Sequence, residues 1–196
     1  FAMINKVLKK NDLKKLIEHI YYTFGQEKTV TCLDRIKKLG FYYSTQSGTS
    51  CGLNDLFALS EKGSILKKAE KEIAKVEKLY QEGVITNGER KNKVISTWFH
   101  ANSQVTNEMV RVFEEQDAAA YHNADKDDKA FNSVYMIMFS GAKGSKDQIR
   151  QLIGMRGLMS TPTGDIIETP VKSNFTEGLN VFEYFISTHG ARKGQA

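Results

Sequence analysis

The sequence predicts a mainly α-helical fold with a small amount of β structure, in the α+β class. Apolar residues recur at helical spacing along two long stretches, and both prolines, Pro162 and Pro170, fall in one short segment. Hydrophobic residues make up 40% of the 196 residues, so the chain can bury one sizeable core or two small ones. We therefore expect several helices and one short extended region.

Composition limits the classes of function. There are 28 Lys and Arg against 23 Asp and Glu, and the net charge of +5 suits a polyanionic partner without requiring one. No apolar run reaches membrane-spanning length and no signal peptide is visible, so we expect an intracellular protein without a membrane partner. Cys32 and Cys51 lack the spacing of a zinc site or a disulfide framework. Because the chain begins with Phe1 and stops within a helical pattern, we expect a fragment of a larger protein.

Residues 1–60 predict a helical subdomain. A first helix is expected between an N-cap at Asn11 and an end at Gly25, with its apolar stripe at Leu13, Leu16, Ile17, Ile20 and Phe24. A second helix is expected over residues 27–39, ended by Gly40, with Val30, Leu33 and Ile36 facing inward. Residues 41–57 mix aromatic, hydroxyl and glycine residues, which predicts a short strand and turns.

Residues 61–115 predict an antiparallel coiled-coil hairpin. Two seams repeat at spacings of three and four: Ile65, Ala69, Ile73, Val76 and Tyr80, then Val94, Trp98, Ala101, Val105, Met109 and Val112. Thr86 and Glu89 have the spacing of a capping box, which puts the tip at about residues 82–88. A charged helix surface is more often a solvated face than a docking surface, and both interpretations stay open for this hairpin.

Residues 116–130 are acidic, rich in alanine and without periodicity, which predicts an exposed connector. Residues 125–128, "DKDD", resemble half of a calcium loop. They lack its glycine and its distal glutamate, so we expect a solvated loop and no metal site.

Residues 139–159, "FSGAKGSKDQIRQLIGMRGLM", are basic and punctuated by glycine. They lack the spacing of a nucleotide-binding phosphate loop, so we reject that interpretation. Ser145 and Gln148 instead have capping-box spacing, which predicts a short helix with an apolar face formed by Ile149, Leu152 and Ile153. Arg150 and Arg156 are expected outside that face. The following residues 161–171, "TPTGDIIETPV", predict a turn and an extended segment.

The last residues, "EYFISTHGARKGQA", predict a helix with two weak points. Gly190 and Gly194 lie one turn apart, and each glycine costs about 1 kcal/mol relative to alanine within a helix. Phe185 and His189 share one face of this helix, and core packing of Phe185 is an alternative to a functional contact. The four histidines of the chain lie in separate contexts, and no catalytic constellation of Ser, His and Asp has a recognisable spacing.

Several motifs resemble one known family. "FNSVYM", "GMRGLM", "IIETP", "NFTEGL" and "STHGARKG", with the hairpin tip "GVITNGERKNKVISTWFHAN", are similar in order to consecutive parts of the largest subunit of multisubunit RNA polymerase. In bacteria the largest subunit of this family is the beta-prime chain, and in cyanobacteria and plastids the piece that this sequence resembles opens the separate beta-double-prime subunit. The resemblance covers essentially the whole chain.

The resemblance implies a role for each region. Residues 61–115 would be the rim helices of the secondary channel, residues 131–178 the F-loop region that supports the active site, and residues 179–196 the first half of the bridge helix. Active-site support would come from Phe185, His189, Gly190, Arg192, Lys193 and Gly194. F-loop and nucleic-acid support would come from Lys143, Arg150 and Arg156. Docking of factors or guanosine tetraphosphate would involve Glu89, Arg90, Asn92 and Lys93.

The resemblance also implies chemistry and partners. Phosphoryl transfer in this family uses two magnesium ions held by a D-x-D-x-D motif, which is absent here, so we expect no metal site and no catalysis by the chain alone. The implied partners are the alpha, beta, omega and sigma subunits, the rest of beta-prime, template DNA, RNA, nucleoside triphosphates and secondary-channel factors. The implied location is the bacterial cytoplasm, or alternatively a plastid or another organelle.

Three positions depart from the family pattern. Lys143 and Thr176 stand where arginine is usual, and Gln195 stands where an apolar residue is usual. A bidentate guanidinium contact is therefore not expected at the first two positions. An alternative function from another class is a non-catalytic coiled-coil interaction module whose basic C-terminal part binds nucleic acid nonspecifically.

Overall fold

The computed structural model describes the backbone of residues 5–122 and 132–195, and their side chains except those of residues 120–122 and 191–195. Six α-helices lie in the described part: α1 (Lys10–Ser47), α2 (Lys62–Gln81), α3 (Asn87–His122), α4 (Ser133–Ser140), α5 (Lys146–Ile153) and α6 (Val181–Gln195). A short 3-10 helix covers Leu53–Asp55. The β structure of the described residues is limited to two isolated antiparallel bridges, so the predicted mainly α class is confirmed.

The described residues form two compact units. One contains residues 5–55 and 132–145, and the other contains residues 56–122 and 146–195. Among the described residues, no helix combines the length and the apolar character that a membrane span requires.

The first unit is built on α1, which is interrupted at Gly25. That residue has φ 78° and ψ 179°, a conformation outside the helical region that glycine reaches easily, so the predicted break is confirmed. The predicted end at Gly40 was wrong, because the helix continues to Ser47 and ends at Gly48 in the left-handed conformation. A glycine with helical dihedrals weakens a helix without ending it.

Two other expectations for the first unit were also wrong. Val30 and Leu33 are exposed rather than inward, because helical periodicity does not specify what an apolar face packs against. The strand expected in residues 41–57 is absent from this fully described stretch, which contains the last turns of α1 and the 3-10 helix.

α4 completes the first unit and has a well-defined start. The Asn132 side-chain oxygen accepts hydrogen bonds from the backbone N–H groups of Val134 and Tyr135, at 3.0 and 3.2 Å. Its amide nitrogen donates to the Asp55 carbonyl at 2.9 Å. The single side chain thus caps α4 and attaches it to the 3-10 helix.

The second unit is organised by the α2–α3 hairpin. Its core contains Ala69, Val94, Trp98 and Ala101, with partly buried Ile65, Leu66, Ile73, Val76 and Leu158 packed against them. α2 and α3 are joined by five residues, and the two predicted seams meet as expected for an antiparallel pair.

The predicted boundaries of the hairpin hold at the tip and fail at the far end. Thr86 and Glu89 form the expected capping box, with hydrogen bonds of 2.8 and 3.3 Å between each backbone N–H and the other side chain. α3 continues to His122, so the first part of the predicted connector is helical. Val105, Met109 and Phe113 are fully buried along its second half, and Phe113 takes the inward place expected of Val112. The "DKDD" motif lies outside the described residues.

Candidate functional site

A short antiparallel hairpin in the second unit positions the candidate site. Gly157 and Val171 exchange two backbone hydrogen bonds of 2.9 Å, and the Ile167 N–H donates to the Met159 carbonyl at 2.8 Å. The turn and extended segment predicted around the two prolines are therefore confirmed. We call residues 157–171 the connecting hairpin. Leu158 packs against the core of the α2–α3 hairpin and so attaches the connecting hairpin to it.

Asn174 fastens the chain that leaves the connecting hairpin. It is 2% exposed, and its amide nitrogen donates to the carbonyls of Ile153 and Gly154 at 2.7 and 3.1 Å. Its oxygen accepts the Glu177 N–H at 2.7 Å. The Glu177 carboxylate lies 2.5 Å from the buried Lys62 ammonium at the start of α2. Asn174 therefore has a structural role that the sequence did not predict.

Arg150 lies inside the second unit, and the expectation that it projects outward was wrong. Its guanidinium donates to Asp147 at 2.6 Å and to the carbonyls of Met155 and Arg156 at 3.3 and 3.4 Å. Burial lowers its pKa, but a guanidinium stays charged at neutral pH. Arg150 thus holds the turn after α5 together.

The other two predicted basic residues differ from Arg150. Arg156 is partly buried, with its guanidinium 5.0 Å from the centre of the Phe175 ring, and burial lowers its pKa. Lys143 is exposed and lies in the first unit. Arg150 and Arg156 lie in the second unit. Thr176, at the position of a usual arginine, donates to the Leu152 carbonyl at 2.7 Å.

The start of α6 is held by Glu183. Its N–H donates to the Asn180 side chain at 2.8 Å, and its carboxylate accepts the N–H groups of Asn180, Lys172 and Ser173 at 3.2, 2.9 and 3.1 Å. Burial acts to raise the pKa of Glu183, but hydrogen bonds involving Ser173, Asn180 and Lys172 outweigh it, and the pKa is lowered. The helix start is thereby attached to the chain that follows the connecting hairpin.

α6 buries one face, but the face that carries Phe185 and His189 is exposed. Glu183 and Ser187 are buried, whereas Phe185 is 60% exposed and His189 is exposed as well. Core packing of Phe185 within the described residues is therefore excluded. Phe185 and His189 lie on the accessible side of α6, where they are available to a molecule outside this chain.

Gly190 lies on the partly buried side of an unbroken helix. A Cβ atom placed there would come within 3.5 Å of the Ser160 carbonyl oxygen and 3.9 Å of the Met159 sulfur, both ordinary contacts. Close packing therefore does not require glycine at this position. Gly194 and the backbone of Arg192 and Lys193 continue α6, and their side chains lie outside the described part.

The four predicted docking residues at the tip of the α2–α3 hairpin differ in their contacts. Two of them form contacts within the second unit, and the other two are exposed. Glu89 is occupied by the capping box, and its hydrogen bonds from Thr86 lower its pKa. Arg90 forms a two-pronged ion pair with Glu168 of the connecting hairpin, at 2.8 and 3.2 Å. Asn92 and Lys93 are exposed. The side chains of Asn92 and Lys93 are therefore the accessible ones among the four.

The described residues were predicted to lack a metal site. No group of three His, Cys, Asp or Glu side chains among them is arranged to hold a metal ion. The carboxylate set that magnesium requires in phosphoryl transfer is thus not found in this part of the chain. Cys32 and Cys51 are free thiols.

Sequence reasoning missed Glu183, Glu168 and Lys172. Asn180 and Glu183 have the three-residue spacing of a cap, so that signal was available. Glu168 contacts a residue 78 positions away, and Lys172 contacts one 102 positions away. No local pattern reports contacts at such separation.

Comparison with known proteins relates these regions to one family. The family described as "RNA polymerase Rpb1, domain 4" matches residues 85–176, and "RNA polymerase Rpb1, domain 3" matches residues 2–56. The DNA-directed RNA polymerase subunit beta' of Thermodesulfovibrio yellowstonii is 48% identical over the whole chain. Those of Coxiella burnetii and Pseudomonas paraeruginosa are 45% and 47% identical, also over the whole chain. The chain spans 14% of the length of each of these relatives. Two domain matches and whole-chain identity show that the chain belongs to the family of the RNA polymerase largest subunit, as a segment of the bacterial beta-prime type.

Proposed function

We propose that this chain acts within a DNA-directed RNA polymerase, a nucleotidyltransferase, in which it lines the active-site cleft and the secondary channel. There it supports nucleotide addition and translocation. The proposal is supported by the family and carried by one structural observation: α6 is fixed at its start by Glu183 and contains a glycine that packing does not require. We assign α6 to the bridge helix and the α2–α3 hairpin to the rim helices.

The contrast between two glycines supports a bending role for Gly190. A Cβ at Gly154 would lie 2.7 Å from a Val105 methyl group, which is too close, so packing alone explains that glycine. A Cβ at Gly190 meets only ordinary contacts. Since glycine lowers helix stability by about 1 kcal/mol, a place where the helix bends with little free energy explains it better. Gly194, one turn further, would extend the same flexible stretch.

α6 is also the element that we propose to approach nucleic acid. Arg192 and Lys193 follow Gly190 in the helix, and cations of this kind neutralise phosphates. Phe185 and His189 lie exposed on the preceding turns. We propose that these residues contact the template, the RNA or the incoming nucleotide, while Lys143 and Arg156 support the surrounding loops and Arg150 stabilises the turn after α5.

The tip of the α2–α3 hairpin is proposed as a docking point. Asn92 and Lys93 supply an exposed amide and an exposed cation at the start of α3, which suit an acidic or phosphorylated partner. Factors of the secondary channel and guanosine tetraphosphate have this chemistry. Glu89 and Arg90 would act there indirectly, by shaping the tip.

The remaining parts of the enzyme complete the proposed function. Magnesium would be held by other parts of the polymerase, since the described residues lack a fitting carboxylate set. The proposed partners are the alpha, beta, omega and sigma subunits, the rest of beta-prime, DNA, RNA and nucleoside triphosphates, in the bacterial cytoplasm. The comparisons do not favour the alternative of a non-catalytic interaction module.

The bending role is tested with Gly190→Val and Gly190→Ala in an assembled polymerase whose full-length beta-prime subunit carries this chain. Valine adds β-branched crowding, so we expect nucleotide addition to slow about tenfold, with alanine intermediate. Gly63→Val in α2, where a Cβ meets open space, is the matched control. Equal elongation rates for wild type and Gly190→Val would remove the bending role.

The docking role is tested with Asn92→Ala and Lys93→Ala in the same polymerase. We expect the change in RNA synthesis produced by a secondary-channel factor or by guanosine tetraphosphate to shrink relative to wild type. Asn107→Ala and Lys75→Ala, at exposed positions of α3 and α2, are the matched controls. A full response in both tip variants would exclude these residues from docking.

A further inference from the structure

One short stretch of the second unit contacts both the α2–α3 hairpin and α6. We call residues 168–177 the brace. Its two ends form ion pairs with the α2–α3 hairpin: Glu168 pairs with Arg90, and Glu177 pairs with Lys62. Its middle, at Lys172 and Ser173, donates two backbone hydrogen bonds to Glu183 at the start of α6.

Lys172 contacts both the α2–α3 hairpin and the residue that holds the start of α6. Its side-chain ammonium lies 2.6 Å from the Glu70 carboxylate on α2 and 5.5 Å from the centre of the Trp98 ring on α3. Its backbone N–H donates to Glu183 at 2.9 Å. A shift of this residue relative to the hairpin therefore changes the support of the first turn of α6 directly.

The pair of Arg90 and Glu168 fixes the brace at the hairpin tip. Two parallel hydrogen bonds of 2.8 and 3.2 Å define both the separation and the orientation of the two groups, which a single ammonium could not do. Glu77 lies 3.6 Å from the same guanidinium, and the Tyr80 ring centre lies 5.4 Å from it. The Arg90 side chain is 18% exposed. All of these partners of Arg90 belong to the α2–α3 hairpin or to the brace. Arg90 is therefore placed to hold these two parts of the chain together.

We propose that Arg90, Glu168 and Lys172 are positioning residues for nucleotide addition, because they set where α6 starts relative to the α2–α3 hairpin. The proposal rests on the proposed function of α6 as a helix that bends during each addition cycle. A bend at Gly190 has a defined effect only if the start of the helix is held in place. The brace supplies that hold, and Arg90 acts through it without contacting substrate.

The proposal is tested by charge reversal in an assembled polymerase whose full-length beta-prime subunit carries this chain. The variants are Arg90→Glu, Glu168→Arg and the two combined. Each single variant should lower the rate of nucleotide addition at saturating nucleotide about threefold, the size expected for a modest coupling between neighbouring groups. The apparent Michaelis constant should change less than the rate. The combined variant should recover part of the loss, to within about twofold of wild type. The ion pair between positions 90 and 168 is restored with reversed charges, while the carboxylate introduced by Arg90→Glu then lies near Glu77.

Two further variants keep the outcome decisive. Glu168→Gln removes the charge with little change of shape. It replaces the charge-reversal variants if these fail to assemble, and it should likewise slow nucleotide addition. The control pair is Glu72 and Lys75, which lie 3.3 Å apart on the exposed surface of α2 and do not touch the brace. Reversal of that pair should leave the addition rate at the wild-type value.

The proposal is overturned if the Arg90 and Glu168 variants elongate at the wild-type rate, or if the combined variant is as slow as the single ones. A separate result marks the failure of the proposed function. If Gly190→Val also elongates normally, α6 does not bend during addition. If Gly190→Val is slow and the Arg90 and Glu168 variants are normal, only the brace is excluded.

Discussion

α1 and α3 are helices of similar length, 38 and 36 residues, with opposite packing. α3 buries an apolar side chain at every third or fourth position from Val94 to Phe113. α1 buries only Leu16 and Thr29, while side chains such as Tyr22 and Phe41 are 85% and 68% exposed. α3 is therefore stabilised by tertiary packing within the described residues, whereas α1 depends there on its helical propensity and local contacts.

The difference shows what each helix contributes to the molecule. α3 has a partner in α2 and carries contacts that hold the connecting hairpin. α1 instead leaves many large apolar side chains exposed among the described residues, Tyr22 and Phe41 among them. The same type of substitution should consequently have different effects in the two helices, and the first experiment below tests this. The other three compare further pairs of positions, one held by tertiary contacts and one not.

The largest difference is expected between Phe113→Ala and Phe41→Ala. Phe113 is fully buried, with its ring 4.9 Å from that of Phe57, so its loss should lower the free energy of unfolding by about 3–5 kcal/mol. Phe41→Ala in α1 should change it by about 0.5 kcal/mol or less. Denaturant unfolding followed by far-ultraviolet circular dichroism measures both values. A loss at Phe41 equal to that at Phe113 would mean that α1 is packed like α3.

A second difference concerns two asparagines. Asn174→Ala should lower the free energy of unfolding by about 3 kcal/mol, because two carbonyls and one N–H lose their buried partner. Asn92→Ala, at an exposed position, should change it by about 0.5 kcal/mol or less. The fluorescence of Trp98, the only tryptophan, reports unfolding of this unit in both variants. Similar midpoints for the two variants would contradict the anchoring role of Asn174.

A third difference compares Gly154→Ala with Gly40→Ala. The new methyl group at Gly154 would lie 2.7 Å from Val105 on α3, and the resulting strain should destabilise the second unit by about 2 kcal/mol. The methyl group at Gly40 meets open space within α1, where alanine should stabilise the helix by up to about 1 kcal/mol. Thermal unfolding of the two variants should therefore shift in opposite directions. A stabilised Gly154→Ala variant would show that the packing around α3 is looser than described.

The smallest difference concerns two carboxylates at helix starts, Glu183 in α6 and Asp12 in α1. Both have a lowered pKa, Asp12 chiefly through its hydrogen bond with Lys6 and Glu183 through hydrogen bonds that outweigh burial. A carboxyl group whose pKa is lower in the folded than in the unfolded chain stabilises the fold at pH values above its unfolded pKa. This stabilisation is lost as the pH falls through the pKa of the group in the folded chain.

Stability measured from pH 7 down to pH 3 should thus decrease less steeply in Glu183→Gln than in wild type. Asp12→Asn should reduce the slope less, because Asp12 is tied only to neighbours in sequence. Identical slopes for wild type and Glu183→Gln would show that Glu183 does not hold the start of α6 in its ionised form.

The sequence predicted the features that depend on residues within four positions. The seams of the α2–α3 hairpin and the cap formed by Thr86 and Glu89 are such features, since helical spacing and capping are local. The break at Gly25 was also predictable, whereas Gly40 has a similar sequence setting and remains helical. Backbone dihedrals of glycine depend on surroundings that the local sequence does not record.

The candidate site was predicted in part. The position of the C-terminal helix and its glycines followed from the sequence, and the family followed from ordered motifs. The burial of Arg150 did not, because two of its three acceptors are backbone carbonyls that any residue could supply. The brace did not either, because it joins Glu168 to Arg90 and Lys172 to Glu70 across long separations.

The most direct measurement is site-specific photo-cross-linking in a stalled elongation complex of a polymerase whose beta-prime subunit carries this chain. A photoreactive residue at His189, on the exposed side of α6, should cross-link to template DNA or RNA, whereas one at Phe41 in α1 should not. Absence of any nucleic-acid cross-link from position 189 in a complex that elongates normally would contradict the placement of α6 in the cleft.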